Sequence, residues 1–158
     1  MPMRNTKSPK KQIKIALQLM TRKPFIPSRY YLQRWVNKAL INRTPLSEMT
    51  IRLVDKKESA DLNESFRYKK GPTNILSFPF EPPPGVYSPL LGDLVICAGL
   101  VNQEARQQKK TRLAHWAHLI IHGCLHLVGY DHIDSKDALK METLEIQLLE
   151  ELGYENPY

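Results

Sequence analysis

The sequence predicts an α+β fold in which three or four strands form one small sheet packed with helices. Three observations predict it. Short apolar runs of strand-like period alternate along the chain with amphipathic stripes of helical period. No internal repeat or linker divides the 158 residues, so a single domain is expected. A chain of this length buries about two-thirds of its unfolded surface and needs no disulfide to fold.

The elements follow in order. Residues 1–11 read as a basic, flexible tail, with the domain running from 12 to 158. Ile13, Ile15, Leu17 and Leu19 alternate with Lys14, Ala16 and Gln18, the pattern of a half-buried strand. Pro24 and Pro27 mark a loop, and Ser28 is placed to cap a helix. The stripe of that helix is Tyr31, Leu32, Trp35, Val36, Ala39 and Leu40. After a break over Asn42 to Pro45, Met49 to Asp55 reads as a second strand. A helix from about Lys57 to Tyr68 follows, with Ala60, Leu62 and Phe66 facing inward.

Lys69 to Pro72 is a basic turn. Asn74 to Phe80 is strand-like, but Pro79 cannot donate a ladder hydrogen bond, so this strand belongs at an edge. Pro82, Pro83, Pro84 and Gly85 make a stiff loop. Leu91 to Cys97 reads as another strand, and its apolar run suggests cover on both faces. A helix from about Gly99 to Lys109 comes next. Thr111 caps a longer one through Val128, stopped by Gly129. A last helix runs from about Ser135 to Leu152 and ends at Gly153.

Composition is that of a globular chain, 42% hydrophobic and 25% charged. No apolar run approaches the ~20 residues of a membrane span, and no apolar core follows the basic N-terminus as in a secretory signal. Cys97 and Cys124 form no ligand pair and fit a reducing cytosol. The net charge of +7 is uneven. Residues 134–158 carry seven acids and two bases, leaving 21 bases against nine acids elsewhere. Such a surface attracts polyanions, although a solvated basic surface explains the charge alone equally well.

Chemistry concentrates between His122 and His132. His122 and His126 are four apart on a predicted helix and so project from one face. Gly129 takes the left-handed backbone that lets the chain fold back and bring His132 to a third corner. Three neutral imidazoles leave a fourth position for water, the arrangement of a catalytic zinc site. Three of only five histidines fall in these eleven residues, which argues against chance packing. The spacing H-x-x-x-H-x-x-G-x-x-H matches the metzincin peptidase motif, but Gly123 stands where those enzymes carry their general-base Glu. Peptidase chemistry is thereby disfavoured while the metal cage survives. His118, one turn earlier, is read as a supporting or packing residue, since one straight helix cannot surround an ion with three ligands. His115 is read as a surface residue and Cys124 as core. Asp131, in a turn, is read first as a local hydrogen-bonder, with a role in ligand orientation or proton transfer as the alternative.

The run His122-Gly-Cys-Leu-His-Leu-Val-Gly-Tyr-Asp-His132 resembles the signature of the YbeY family of bacterial endoribonucleases and rRNA maturation factors. Phe66-Arg67, Pro72 to Glu81 and Leu91 to Ile96 resemble the family's other blocks in the same order, and the likeness covers roughly residues 50–158. It implies a zincin-like fold with the metal site on a central helix, one metal ion on His122, His126 and His132, and single-strand-preferring RNA cleavage; zinc is the expected ion, with iron, nickel and manganese left open because imidazole suits several metals. The implied role is maturation of the 16S rRNA 3′ end and ribosome quality control; a cytoplasmic location, with no membrane or DNA partner, is expected beside it. The family's functional arginine falls on Arg67, which on the residues alone is an ordinary surface arginine. Lys69, Lys70, Arg106, Lys109, Lys110 and Arg112 are expected to steer RNA by counterion release. Two alternatives stay open. One is another metal hydrolase, a peptidase or a deaminase, though no Cys-x-x-Cys pair supports the latter. The other is a non-catalytic RNA or ribosome binder with a structural metal.

Overall fold

The structure is a computed structural model that describes residues 11–158. The expected tail, Lys11 apart, lies outside the described residues. Nine elements follow in order: β1 (Lys14–Leu19), α1 (Arg29–Leu40), β2 (Glu48–Val54), α2 (Lys56–Arg67), β3 (Ile75–Pro79), β4 (Leu90–Cys97), α3 (Ala98–Gln107), α4 (Arg112–Leu127) and α5 (Ser135–Glu151). The strands form one sheet in the order β1-β2-β4-β3. β1, β2 and β4 are parallel, and β3 pairs antiparallel with β4. The fold is α+β, and the proline-bearing strand lies at an edge as its missing N–H requires.

β4 is central, and its two faces serve two cores. Leu94 and Ile96 join the main core with Trp35, Trp116, Ile120 and Ile121 from α1 and α4. Val95 and Cys97 face the other way, beside Val54 and Leu76, with Leu62 and Phe78 packed against them. The apolar run Leu94 to Cys97 of this strand therefore has cover on both sides. Cys97 and Cys124 are buried free thiols, and burial pushes both thiols up. Among the described residues no helix is long and apolar enough to cross a membrane.

Two local expectations are corrected. Ser28 occupies the N-cap position of α1, but its side chain makes no cap bond; its carbonyl accepts from the amide of Leu32 instead. On α2 the buried residues are Ser59 and Asn63, and Phe66 is 56% exposed. The cause is the turn that follows. The hydroxyl of Ser59 donates to the carbonyl of Thr73 at 2.8 Å and accepts from its amide at 3.0 Å. The amide of Asn63 donates to the carbonyl of Gly71 at 2.9 Å. Polar residues on the inner face of α2 thus pair with loop backbone that burial would otherwise leave unsatisfied. They fix the basic turn against the sheet.

Candidate metal centre and cleft

Helix α4 starts where the hydroxyl of Thr111 accepts from the amide of Ala114. One side of it buries Trp116, Ile120, Ile121 and Leu125, which leaves His122 and His126 half-buried on the edge facing β3 and the cleft. The helix ends at Leu127. Gly129, at φ 96°, turns the chain, while the amides of Gly129 and Tyr130 bond back to the carbonyls of His126 and Leu125. In the returning loop a carboxylate oxygen of Asp131 accepts from the amides of His132 and Ile133. Asp131 is therefore a local hydrogen-bonder that shapes the loop carrying His132.

The turn brings three imidazoles together. Ring centroids of His122 and His126 lie 4.6 Å apart, those of His126 and His132 4.9 Å, and those of His122 and His132 5.4 Å. One nitrogen from each lies within 4.8 Å of the other two. The remaining nitrogens decide what these can do. Nδ1 of His126 is 2.9 Å from the carbonyl oxygen of Tyr130, which can only accept, so this nitrogen carries the proton. Burial and the neighbouring His122 and His132 lower the pKa of His126, so its ring stays neutral and Nε2 is bare. Nδ1 of His122 donates to Glu145 at 2.5 Å. Burial pushes Glu145 up, but the neighbouring His118 and the hydrogen bonds from His122 and Tyr158 outweigh it and hold the carboxyl at about 2. Glu145 is thus charged and accepts only. The two Nε2 atoms face each other at 3.1 Å in the cleft. Such a contact needs a proton or a metal ion between the two nitrogens.

The histidines line a cleft of about 760 Å³. Arg67 and Lys69 line it from the end of α2, and Ser77 and Pro79 from β3. The guanidinium of Arg67 donates to the carbonyls of Phe66 at 3.2 Å and Ser77 at 2.9 Å and lies over the ring of Phe78. It is exposed, with its remaining N–H groups unspent. Over residues 22–153 the sequence matches the family model of endoribonuclease YbeY.

The chain belongs to the YbeY endoribonuclease family.

The match reaches further toward the N-terminus than the signature blocks did and takes in α1. Membership carries a role as an endoribonuclease, an RNA-cleaving hydrolase, in rRNA processing. Among solved structures, the solution structure of TM1509 from Thermotoga maritima is similar, with a TM-score of 0.54 and 22% identity over 87% of this chain and 92% of that one. The likeness extends to the fold.

Within this YbeY-type fold the other singled-out residues separate. Of the six basic residues only Lys69 lines the cleft, and Lys70 is exposed in the same turn. Arg106, Lys109, Lys110 and Arg112 sit apart from it, at the junction of α3 and α4. Lys110 donates to the carbonyl of Pro157, and Arg112 lies 4.2 Å from the ring centroid of Phe25. His115 is not a surface residue. It is 3% exposed, with Nε2 3.4 Å from Glu104, because α3 packs over the first turns of α4. His118 lies beside the centre, with Nε2 3.3 Å from the Tyr158 hydroxyl. At Gly123 an added Cβ would sit 2.6 Å from Ile75 and 2.9 Å from Leu94. The place of the peptidase glutamate is filled by the sheet.

Glu145 and Tyr158 are the residues that sequence reading missed. Glu145 had a signal. It lies four residues after Met141, three before Leu148 and four before Leu149, all buried, so it is a carboxylate on the apolar stripe of α5. Tyr158 had none.

Proposed function

We propose that this chain is a zinc-dependent endoribonuclease that prefers single-stranded RNA and acts in the cytoplasm. On this reading it matures the 3′ end of 16S rRNA in the small ribosomal subunit and serves in ribosome quality control. The 12–158 segment acts as one domain. The observation that carries the reading is the convergence of His122, His126 and His132 in the cleft, with Nε2 of His122 and His126 3.1 Å apart and Nδ1 of each on a fixed acceptor.

The residues fit a zinc ion. His122, His126 and His132 would hold it as neutral nitrogen donors, and three protein ligands leave a position open to the cleft. When bound, zinc supplies a Lewis acid for phosphoryl oxygens and lowers the pKa of a bound water to about 7.

The protein's own groups do the rest. Glu145 and the Tyr130 carbonyl keep the Nδ1 protons of His122 and His126 in place and aim both rings at the cleft. Arg67 is anchored by the carbonyl of Ser77. Its free N–H groups would clamp the non-bridging oxygens of a phosphodiester in a fork that lysine does not reproduce. Lys69 adds positive charge along the RNA path. Gly123 supplies no carboxylate, so no side chain at that position acts as general base.

The test is cleavage of a single-stranded RNA by zinc-loaded wild type and Arg67→Ala. The expected result is cutting by wild type, and a rate at least tenfold lower at unchanged metal content in the variant. An Arg67→Ala variant that processes RNA as wild type does would favour a binder with a structural metal. Product ends sharpen the chemistry. A 2′,3′-cyclic phosphate requires the ribose hydroxyl as nucleophile, whereas cutting of a substrate lacking that hydroxyl requires water.

A further inference from the structure

Behind His122, away from the cleft, lies a second polar cluster of Glu145, His118 and Tyr158. Glu145 is fully buried, and its two oxygens serve different partners. Oε1 accepts from Nδ1 of His122 at 2.5 Å. Oε2 accepts from the hydroxyl of Tyr158 and lies 3.7 Å from Nε2 of His118. Tyr158 reaches this place on a segment that folds back over α4. The amide of Tyr154 bonds to the carbonyl of Leu149 at 2.8 Å, and its ring packs edge-on to Trp35. Nζ of Lys110 donates to the carbonyl of Pro157 at 2.7 Å. The ring of Tyr158 then stands edge-on to His118, with centroids 5.3 Å apart. The family match ends at residue 153, so it assigns nothing to this segment.

We propose that Tyr158 is a positioning residue for the three-histidine centre and acts through Glu145. The inference rests on the metal reading above. A buried carboxylate held by one histidine alone can rotate about its last bond. The phenol fixes Oε2, which fixes the carboxylate plane and aims Oε1 at Nδ1 of His122. That contact sets the tautomer and rotation of the ring and turns Nε2 toward His126 and His132. Without the hydroxyl, Oε2 keeps only His118, at a distance beyond a hydrogen bond. An underpartnered buried oxygen is costly, so the carboxylate would rotate toward His118 and release His122.

The test is the zinc dissociation constant of the full chain, read by competition with a chromogenic chelator. Melting of the metal-free proteins serves as the check on folding. Tyr158→Phe keeps the ring and removes the hydroxyl. It should weaken zinc binding by about tenfold, the low end for an outer hydrogen-bond partner. Tyr154→Phe, on the same segment but away from Glu145, should leave the constant unchanged. In a Glu145→Gln background, adding Tyr158→Phe should cost little more. Equal zinc affinity in wild type and Tyr158→Phe overturns the proposal and leaves the metal reading intact. So does equal weakening by Tyr154→Phe, which would mean general loosening of the segment. A wild type that binds no zinc refutes the metal reading and this inference with it.

Discussion

The two halves of α4 carry the same residue type and treat it differently. In the first half His115 is buried under α3, with its Nε2 against Glu104, which also accepts from Asn74. In the second half His122 and His126 spend only Nδ1 on the protein and turn Nε2 to a cleft. The contrast shows that histidine on a helix does not make a metal centre. A candidate centre also needs a ring nitrogen that no fixed protein acceptor occupies, open to a cleft beside others like it.

Breaking that contrast gives the largest expected effect. His122→Ala should abolish stoichiometric zinc and lower RNA cleavage by at least 100-fold, measured as metal content and rate on the same sample. The metal-free fold should survive, since the ring is half-buried. His115→Ala should do the reverse. Zinc stoichiometry stays, and denaturant unfolding shows a loss of about 1–3 kcal/mol from a buried, partnered group.

A smaller effect sharpens the role of the cleft wall. Arg67→Lys keeps the charge but not the fork, and single-turnover kinetics should show cleavage reduced by roughly tenfold with zinc retained.

Gly123→Ala tests the packing that excludes a side chain between the two cleft histidines. Its Cβ would press into Ile75 and Leu94, and overpacking of this kind costs about 1–3 kcal/mol. Denaturant unfolding of the metal-free protein checks it.

The smallest expected effect is on acid stability. Burial pushes Glu104 up, but hydrogen bonds from His115 and Asn74 outweigh this and hold its carboxyl below the ordinary value. A carboxyl whose folded pKa is lowered contributes stability above its unfolded pKa, about 4.3, and that contribution is lost as pH falls through the folded value. Glu104→Gln lacks this contribution. Its unfolding free energy, followed from pH 6 to 3, should fall less steeply than that of wild type.

Much of this was legible in the chain. Pro79 announced an edge strand, the apolar run within Leu91 to Cys97 announced cover on both faces, and Gly129 announced the bend that returns His132. Such features are local, because a missing N–H or a left-handed backbone acts within a few residues. The inner face of α2 was not legible, since Ser59 and Asn63 are buried for the sake of a loop that follows the helix. Nor was His115, whose burial depends on how α3 crosses α4. Glu145 and Tyr158 lie 23 and 36 residues beyond His122, and only the packing of α5 and the returning segment on α4 brings them to it.

The three-histidine centre depends on where the protons sit on its imidazoles. Long-range ¹⁵N–¹H NMR of the histidine rings, metal-free and with one equivalent of zinc, reads this directly. The expected result is Nδ1 protonated on His122 and His126 in both states, with the Nε2 signals of the two shifting together on zinc and a ring nitrogen of His132 moving with them. An Nδ1 without a proton on either ring, or zinc that leaves the three rings unmoved, would contradict it.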